Sequence, residues 1–286
     1  MHKIAMTGGS GFVGSHLARA FEAMGWDARE IARDDISSGP ENLAKKIGDA
    51  DVLVNLAGAP IIKRWTEGYK KIMYQSRVDL TRTLVEAVAL MKNKPSVLIS
   101  TSAVGYYSSS GIHDEYSYEQ ADGFLGRMAH DWEQEAMRAN LSGVRTVIFR
   151  FGIVLGRGGG ALKQMLLPFR LGIGGTVGDG SQAFSWVHTE DLIRAFIMAI
   201  EVDSVTGIYN LCAPEPSTNR ALTKALAKTL GRPAFLRIPE FVLRLQYGQA
   251  ADVLTKGQSV YPKRLTEAGF RFIFSDLQEA VRDCVT

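Results

Sequence analysis

Short apolar segments alternate with helix-length amphipathic stretches over about the first 150 residues. Apolar runs of strand length predict strands at residues 3–6, 28–32, 52–56, 96–101 and 146–151. Between them, apolar positions spaced about 3.6 residues apart predict helices at residues 14–24, 65–91 and 125–139. Because strands and helices alternate in this way, we expect an α/β fold with a doubly wound parallel sheet.

The chain changes character after this region. Glycines are frequent at residues 156–160 and 172–180, where they interrupt the alternation of strands and helices. Helical patterns return at residues 191–201 and 219–230. We therefore expect a larger domain over residues 1–155. A smaller C-terminal lobe over residues 156–286 should contribute segments that interleave with it.

Composition and charge exclude several classes of protein. Hydrophobic residues make up 46% and charged residues 22%, which is typical of an ordered globular chain. The 33 basic and 30 acidic residues are scattered, so no nucleic-acid partner is expected. No apolar window approaches the roughly 18 to 20 residues of a membrane span. The N-terminus shows no secretion signal, and Cys212 and Cys284 lack disulfide or metal-ligand spacing, so we expect a cytoplasmic protein without a metal.

Glycines stand at positions 8, 11 and 14, directly after the first predicted strand. The run continues through Phe12 and Val13 into a helix. At such a turn, backbone N–H groups at a helix N-terminus can hold a pyrophosphate that a side chain would displace. Since the loop lies between a strand and a helix, it predicts a dinucleotide site in a Rossmann-type sheet.

The end of the second predicted strand should meet the adenosine ribose. Arg33 stands there, where a cation suits a 2′-phosphate, but Asp34 and Asp35 follow at once, and a carboxylate suits a free hydroxyl. We favour NADP(H) as the cofactor. The alternatives are a carboxylate that reads the ribose of NAD(H) and a surface arginine that contacts only water.

Several motifs resemble the extended and atypical branches of the short-chain dehydrogenase/reductase superfamily. They are the glycine loop, Asn55–Gly58, Ser100–Ser102 and Val187–Asp191, in that order along the chain. Three further segments resemble the narrower epimerase family: Arg150–Gly160, Leu167–Phe169 and Val260–Leu265. The resemblance covers nearly the whole chain.

This resemblance implies a set of cofactor contacts. Gly8, Gly11 and Gly14 would face the pyrophosphate, with Phe12 and Val13 beside them, and Arg33 would face the 2′-phosphate. Leu56, Ala57 and Gly58 would pass along the cofactor. Arg77 would either reach the cofactor or be a solvated charge on a helix face.

The resemblance also implies a catalytic Tyr followed four residues later by a Lys, but no tyrosine in the chain has a lysine at that spacing. The helix that should carry the pair places Phe124 and Met128 near the two positions. Ser102 matches the superfamily serine that hydrogen-bonds substrate. Tyr106 and Tyr107 follow it and could supply a phenol or line the pocket, so these three are the candidate catalytic residues.

Substrate recognition departs from the family pattern as well. Nucleotide-sugar epimerases commonly carry Arg-Asp-Phe before the Val-His segment, whereas this chain has Phe184 and Trp186 without the arginine. We expect an apolar or aromatic small-molecule substrate. The leading hypothesis is an NADP(H)-dependent oxidoreductase or an epimerase-like isomerase, and the alternative is a non-catalytic NADP(H)-binding regulatory protein.

Overall fold

The computed structural model describes residues 1–285. Within them the strands are β1 (Lys3–Thr7), β2 (Asp27–Ile31), β3 (Val52–Asn55), β4 (Val97–Ala103), β5 (Ile112–His113), β6 (Arg145–Phe151), β7 (Ile153–Leu155), β8 (Gly175–Val177), β9 (Trp186–His188), β10 (Gly207–Leu211), β11 (Leu236–Ile238) and β12 (Ser259–Val260). The α-helices are α1 (Phe12–Ala23), α2 (Arg33–Ser37), α3 (Pro40–Ile47), α4 (Glu67–Tyr74), α5 (Leu80–Leu90), α6 (Phe124–Met137), α7 (Gly160–Arg170), α8 (Thr189–Glu201), α9 (Asn219–Leu230), α10 (Glu240–Tyr247), α11 (Asp252–Thr255), α12 (Lys263–Glu267) and α13 (Leu277–Val285).

A parallel sheet with the strand order β10-β6-β4-β3-β1-β2 forms the centre of the molecule. The chain runs outward from β1 to β2 and then crosses to β3 on the other side of β1. This reversal opens a crevice at the carboxyl ends of β1 and β3, where ligands of such sheets bind. The prediction of a Rossmann-type doubly wound sheet is confirmed.

Alternating side chains of the strands feed two apolar layers. On one face Ile4, Met6 and Val54 pack with α1 and α8, and on the other Ala5 and Leu53 pack with α3 and α5. Because both faces of the sheet are buried at its centre, β1, β3 and the first residues of β4 are largely apolar, which explains why they could be found from the sequence; the edge strand β2 is mostly exposed and polar.

The sheet does not end at the expected boundary after residue 155. Its sixth strand is β10, and α8 contributes Phe196 and Ala199 to the same core. The remaining segments build a second lobe from the paired strands β7–β9 and β8–β11 with α7, α9 and α13. The nucleotide-side layer therefore extends to Leu211, with lobe segments inserted between its last two strands.

None of the helices in residues 1–285 combines the length and the apolar character that a membrane crossing requires.

Candidate functional site

A side chain would be strained at Gly8, the first glycine of the loop, and would clash at Gly14, the third. Gly8 has a φ of +70°, and a Cβ built there would lie 3.1 Å from the Leu56 carbonyl carbon. A Cβ on Gly14 would lie 2.2 Å from the Gly8 carbonyl oxygen. Among the described residues, no side chain caps the N-terminus of α1 and no acidic residue stands in its first turn. The N–H groups there are thus available to an anion.

The ring of Phe12 explains why glycines stand at residues 156–160. Cβ atoms built at Gly159, Gly160 and Gly156 would lie 2.3, 2.8 and 3.0 Å from atoms of the Phe12 ring. The ring thus occupies the space that these glycines leave. This contact fixes the start of α7 against the start of α1, and it brings the second lobe onto the dinucleotide loop.

The adenosine end of the site carries Arg33 two residues after β2 ends. Arg33 and Asp34 are exposed, and the Arg33 side chain has no hydrogen-bond or ion-pair partner in residues 1–285. Asp35 turns away from the strand end: it accepts from the Ala32 N–H at 3.0 Å and pairs with Lys46 at 3.1 Å. The hydrogen bond from Lys46 and that from Ala32 lower the pKa of Asp35. Of the two carboxylates, Asp35 is therefore already engaged by its own turn.

Hydrogen bonds of Thr7, the last residue of β1, hold the loop after β3 beside the glycine loop. Thr7 donates to the Asn55 Oδ1 at 2.8 Å and accepts from the N–H groups of Leu56 and Ala57 at 3.2 and 3.3 Å. These contacts hold the backbone of residues 56–58 beside Gly8. The structure thus brings Gly8 and the segment Leu56–Gly58 together at the crevice.

Arg77 is buried, not solvated, which corrects one of the two alternatives. It lies in a π-helical turn, Gln75–Asp79, between α4 and α5. Its guanidinium donates to the Ala59 carbonyl at 2.9 Å, while Ser76 accepts from the Ala59 N–H at 3.0 Å. A Cβ on Gly58 would meet the Arg77 guanidinium carbon at 2.8 Å. Burial lowers the pKa of Arg77 to about 10.

Ser102 is the first member of a buried polar network. It donates to Glu133 Oε1 at 2.6 Å, and Arg150 donates to the two oxygens of Glu133 at 2.8 and 2.7 Å. Ser102, Glu133 and Arg150 are each 3% exposed. Burial alone would lower the pKa of Arg150, but the hydrogen bonds and charge of Glu133 outweigh it and raise the pKa. Sequence reasoning identified Ser102 and missed both charged partners.

Tyr107 closes the other end of this network. Arg150 donates to its phenol oxygen at 2.7 Å, and the phenol donates to Asn210 Oδ1 at 3.0 Å. Tyr107 is fully buried, and burial raises its pKa to about 12, against the opposing charge of Arg150. A phenol that is fully buried and bonded to both Arg150 and Asn210 holds the loop and does not face a substrate, which corrects the expectation of a substrate-facing Tyr107.

Tyr106 lies on the other side of Arg150. Its ring centroid is 3.6 Å from the guanidinium carbon, a cation–π contact, and its ring stacks at 6.5 Å on His130. Tyr106 is half-buried. Of the predicted catalytic residues, Tyr106 therefore keeps a partly open face, whereas Ser102 and Tyr107 serve the network behind it.

Apolar side chains occupy the positions expected for the catalytic pair. Met128 is buried with Met73, Val78 and Trp132, and the half-buried Phe124 packs edge-on against Trp65 at 5.9 Å. Trp65 belongs to the segment that leaves β3, and its indole donates to the Ile61 carbonyl at 2.9 Å. At the two positions where the superfamily chemistry needs a phenol and an amine, this chain therefore has the apolar side chains of Phe124 and Met128.

The Val187–Asp191 segment has a structural role. His188 Nδ1 accepts from the Glu190 N–H at 3.2 Å and so caps α8, and Asp191 accepts from the N–H groups of Ile273 and Phe274. With Nδ1 as an acceptor, the imidazole proton lies on Nε2, which points to Asp283 at 3.3 Å. His188, Asp283 and Cys284 bring ligand-type atoms within 4.8 Å, but a protonated Nε2 does not fit a metal ion.

Phe184 and Trp186 do not form a substrate surface, and that expectation was wrong. They are 5% and 1% exposed and belong to the core of the second lobe. Trp186 pairs with Ile153 of β7, and the Phe184 N–H donates to the Ser217 carbonyl at 2.8 Å, so this segment lies inside the lobe. The half-buried aromatic side chains at the start of α6 are those of Phe124 and its partner Trp65.

The segment Val260–Leu265, singled out by its motif, fastens the loop that follows Tyr107. Strand β12 pairs with β5, and the N–H groups of Lys263 and Arg264 donate to Glu115 at 3.1 and 3.3 Å. The side-chain amide of Asn210, which binds Tyr107, donates to the Tyr261 carbonyl at 3.1 Å. This segment therefore supports the loop that carries Tyr106 and Tyr107.

Comparisons with known proteins agree with this architecture. The family model described as the NAD dependent epimerase/dehydratase family matches residues 4–212, and a domain of unknown function, DUF1731, matches residues 238–284. Epimerase family protein YfhF of Bacillus subtilis (strain 168) is 36% identical over 296 residues, covering 99% of this chain and 97% of that protein. Epimerase family protein SDR39U1 of Mus musculus is 35% identical over 296 residues, covering 99% of each chain.

Two solved structures are similar. The human epimerase family protein SDR39U1 with NADPH superposes with a TM-score of 0.90 at 33% identity, covering 99% of this chain and 98% of that one. UDP-glucuronic acid 4-epimerase from Bacillus cereus, in complex with UDP-glucuronic acid and NAD, superposes with a TM-score of 0.82 at 20% identity. The match covers 99% of this chain and 97% of that one. The second likeness shows the fold alone. From the family model and the full-length relatives, we conclude that the chain belongs to the NAD dependent epimerase/dehydratase family.

Proposed function

We propose that this protein binds NADP(H) and acts as an oxidoreductase or epimerase-like isomerase on a small molecule held between the sheet edge and the second lobe. The observation that carries the cofactor assignment is the glycine loop, where Gly8 and Gly14 leave no room for side chains beside the open N-terminus of α1. The relative solved with NADPH supports it. A bound nicotinamide would supply or accept hydride.

The 2′-phosphate would be held by Arg33. Near the end of β2, Glu30 accepts from the Ser10 N–H of the glycine loop at 2.9 Å, and Asp35 is engaged by Ala32 and Lys46, so both carboxylates already have partners within the protein. The exposed guanidinium can fork onto a phosphate, a charge-assisted contact worth about 1.5 to 3 kcal/mol, or about ten- to a hundred-fold in affinity. Arg77, clamped onto Ala59 beneath Gly58, would hold the loop along the cofactor.

Calorimetric titration with NADPH and NADH tests this assignment. We expect NADPH to bind more tightly. Arg33→Ala should weaken NADPH by that factor and leave NADH nearly unchanged, and Arg232→Ala, an exposed arginine of the second lobe, should change neither. Equal affinities in the unmodified protein, or an Arg33→Ala variant that loses both cofactors alike, would assign the ribose contact to Asp34 and contradict the proposal.

A second candidate function is a non-catalytic NADP(H)-binding regulatory protein. The observation in its favour is the replacement of the catalytic pair by Phe124 and Met128. Oxidation of bound NADPH by a small-molecule acceptor separates the two functions. Turnover supports the oxidoreductase, and tight binding without turnover on a panel of quinones, aldehydes and ketones supports the regulatory protein.

A further inference from the structure

Six large apolar side chains of the second lobe are exposed to solvent. Each is between 56% and 77% exposed, and together we call them the apolar face: Leu167, Leu171, Ile173, Phe235, Phe241 and Leu245. They come from the segments that lead into β8 and β11 and from α10. The pairing of β8 with β11 sets Gly175 opposite Leu236, and a Cβ on Gly172 would lie 4.0 Å from the Pro233 side chain. The two segments that carry most of the apolar face therefore run side by side.

Helix α10 turns its apolar side outward. Of its residues only Leu243 is buried. At about 100° per residue, Phe241, Val242 and Leu245 fall within one arc of about 100°, whose centre lies about 150° from Leu243. All three are exposed. A surface helix ordinarily turns such an arc towards the core of its own protein, so the orientation of α10 indicates a surface that contacts another body.

The end of α7 continues this surface. Leu162 and Phe169 are buried in the core of the second lobe. Leu167 and Leu171 are four residues apart, so they lie together on the outer side of the helix. Lys163 precedes Leu167 by four residues and adds a positive charge to that side.

The charges around the apolar face are almost all positive. Residues 163–174 and 228–247 contain six basic residues and one acidic residue, Glu240, a net charge of +5 in a chain whose total is +3. The exposed side chains of Lys163, Arg170 and Arg232 have no hydrogen-bond or ion-pair partner within residues 1–285. Their charges are therefore available to an anionic partner.

An apolar surface with basic residues around it suits an anionic lipid bilayer. Each Lys or Arg near anionic headgroups contributes about five-fold in affinity, and apolar side chains bind at the boundary between headgroups and acyl chains. A second copy of this chain fits less well. A two-fold dimer would set the same surface of both subunits against each other and bring their like charges together.

We propose that the apolar face docks this protein on the surface of an anionic membrane. Helix α10 and the end of α7 lie in the plane of the headgroups. Phe241 and Leu245 enter the acyl boundary, while Lys163, Arg170 and Arg232 contact lipid phosphates. The proposal is independent of the cofactor assignment, so either can fail without the other.

Co-sedimentation with lipid vesicles tests the proposal. We expect the protein to sediment with vesicles of equal parts phosphatidylcholine and phosphatidylserine, and to stay in the supernatant with phosphatidylcholine alone. Raised salt should release it, because the attraction between the basic residues and the headgroups is screened.

Two double variants separate the apolar and the charged contributions. Phe241→Ser with Leu245→Ser should weaken binding to the anionic vesicles at least about ten-fold. Arg170→Glu with Arg232→Glu should weaken it by about twenty-five-fold or more. Because all four side chains are exposed, both variants should keep the Tm of the unmodified protein.

The matched control replaces an exposed leucine and a nearby lysine outside the second lobe. Leu90 is 59% exposed at the end of α5, and Lys92 follows it. Leu90→Ser with Lys92→Glu should bind the anionic vesicles as the unmodified protein does. Binding weakened equally in the control and in the two test variants would overturn the proposal.

Other occupants of the apolar face give different results. Protein that stays in the supernatant with anionic vesicles would overturn the proposal and favour an acidic protein partner. A lipid-free dimer, measured by light scattering and lost in Phe241→Ser with Leu245→Ser, would assign the apolar face to a second copy and would also overturn it.

Discussion

Replacing Glu133 by leucine removes the carboxylate that holds Arg150 and Ser102. Both side chains of the Glu133–Arg150 pair are nearly inaccessible, at 3% and 4%, and the nearer contact is 2.7 Å. Removing one member of a buried pair leaves the other charge without a partner, which costs about 3 to 5 kcal/mol. Arg150→Met should cost a similar amount. The double variant buries neither charge, so its cost should fall well below the sum of the two.

Urea and thermal denaturation of the four proteins measure this coupling. A loss of about 3 to 5 kcal/mol should lower Tm by roughly 10 °C in each single variant. The Lys70–Glu67 pair is the matched control because its carboxylate is 89% exposed, and Glu67→Gln should change stability by no more than about 1 kcal/mol. If the losses at Glu133 and Arg150 simply add, or if each is as small as the control, the assignment of this pair as a coupled buried network is wrong.

Further predictions concern the loop, the cap of α8 and Tyr107. Gly14→Ala should abolish NADPH binding, measured by calorimetry, because its Cβ would lie 2.2 Å from the Gly8 carbonyl; Gly68→Ala, whose nearest neighbour is 4.0 Å away, should bind normally. Burial lowers the pKa of His188 in the folded protein, so as the pH falls the unfolded chain binds a proton at this residue before the folded chain does. The stability that neutral His188 contributes above about pH 6.5 should therefore be lost below that pH. The dependence of Tm on pH should be weaker in His188→Asn, in which this group does not titrate. Tyr107→Phe leaves hydrogen-bonding groups of Arg150 and Asn210 unpaired and should cost about 1 to 3 kcal/mol in urea unfolding.

The sheet and the dinucleotide loop could be predicted because their signals are local. The buried strands β1 and β3 are short and largely apolar, and the glycine loop follows the first of them directly. The contact between Glu133 and Arg150 could not be predicted from the sequence, because it depends on how α6 packs beside β6. A signal was nonetheless present: Arg150 interrupts an otherwise apolar strand, and Glu133 falls in phase with the buried Ala129, Trp132 and Ala136.

Other side chains were misread because their surroundings come from distant parts of the chain. Phe184 and Trp186 were expected to face substrate, yet α9 and α13, which follow them, enclose both in the lobe core. For Arg77 the sequence left two alternatives, a cofactor contact and a solvated charge on a helix face, and the π-helical turn excludes the second by directing the side chain inward onto Ala59. A change of helical pitch leaves no mark in a periodicity taken from sequence.

The attachment of residues 259–264 to the Tyr107 loop has a consequence for the order in which the protein matures. Ribosomes deliver the chain from its N-terminus, so all strands of the central sheet emerge before Ser259. A nascent chain at that stage has its dinucleotide loop but lacks the strand that pairs with Ile112–His113 and the helix that binds Glu115. The glycine loop is thus synthesised before the segment that supports the loop carrying Tyr106 and Tyr107. The arrival of residues 259–264 sets the moment at which that support is complete.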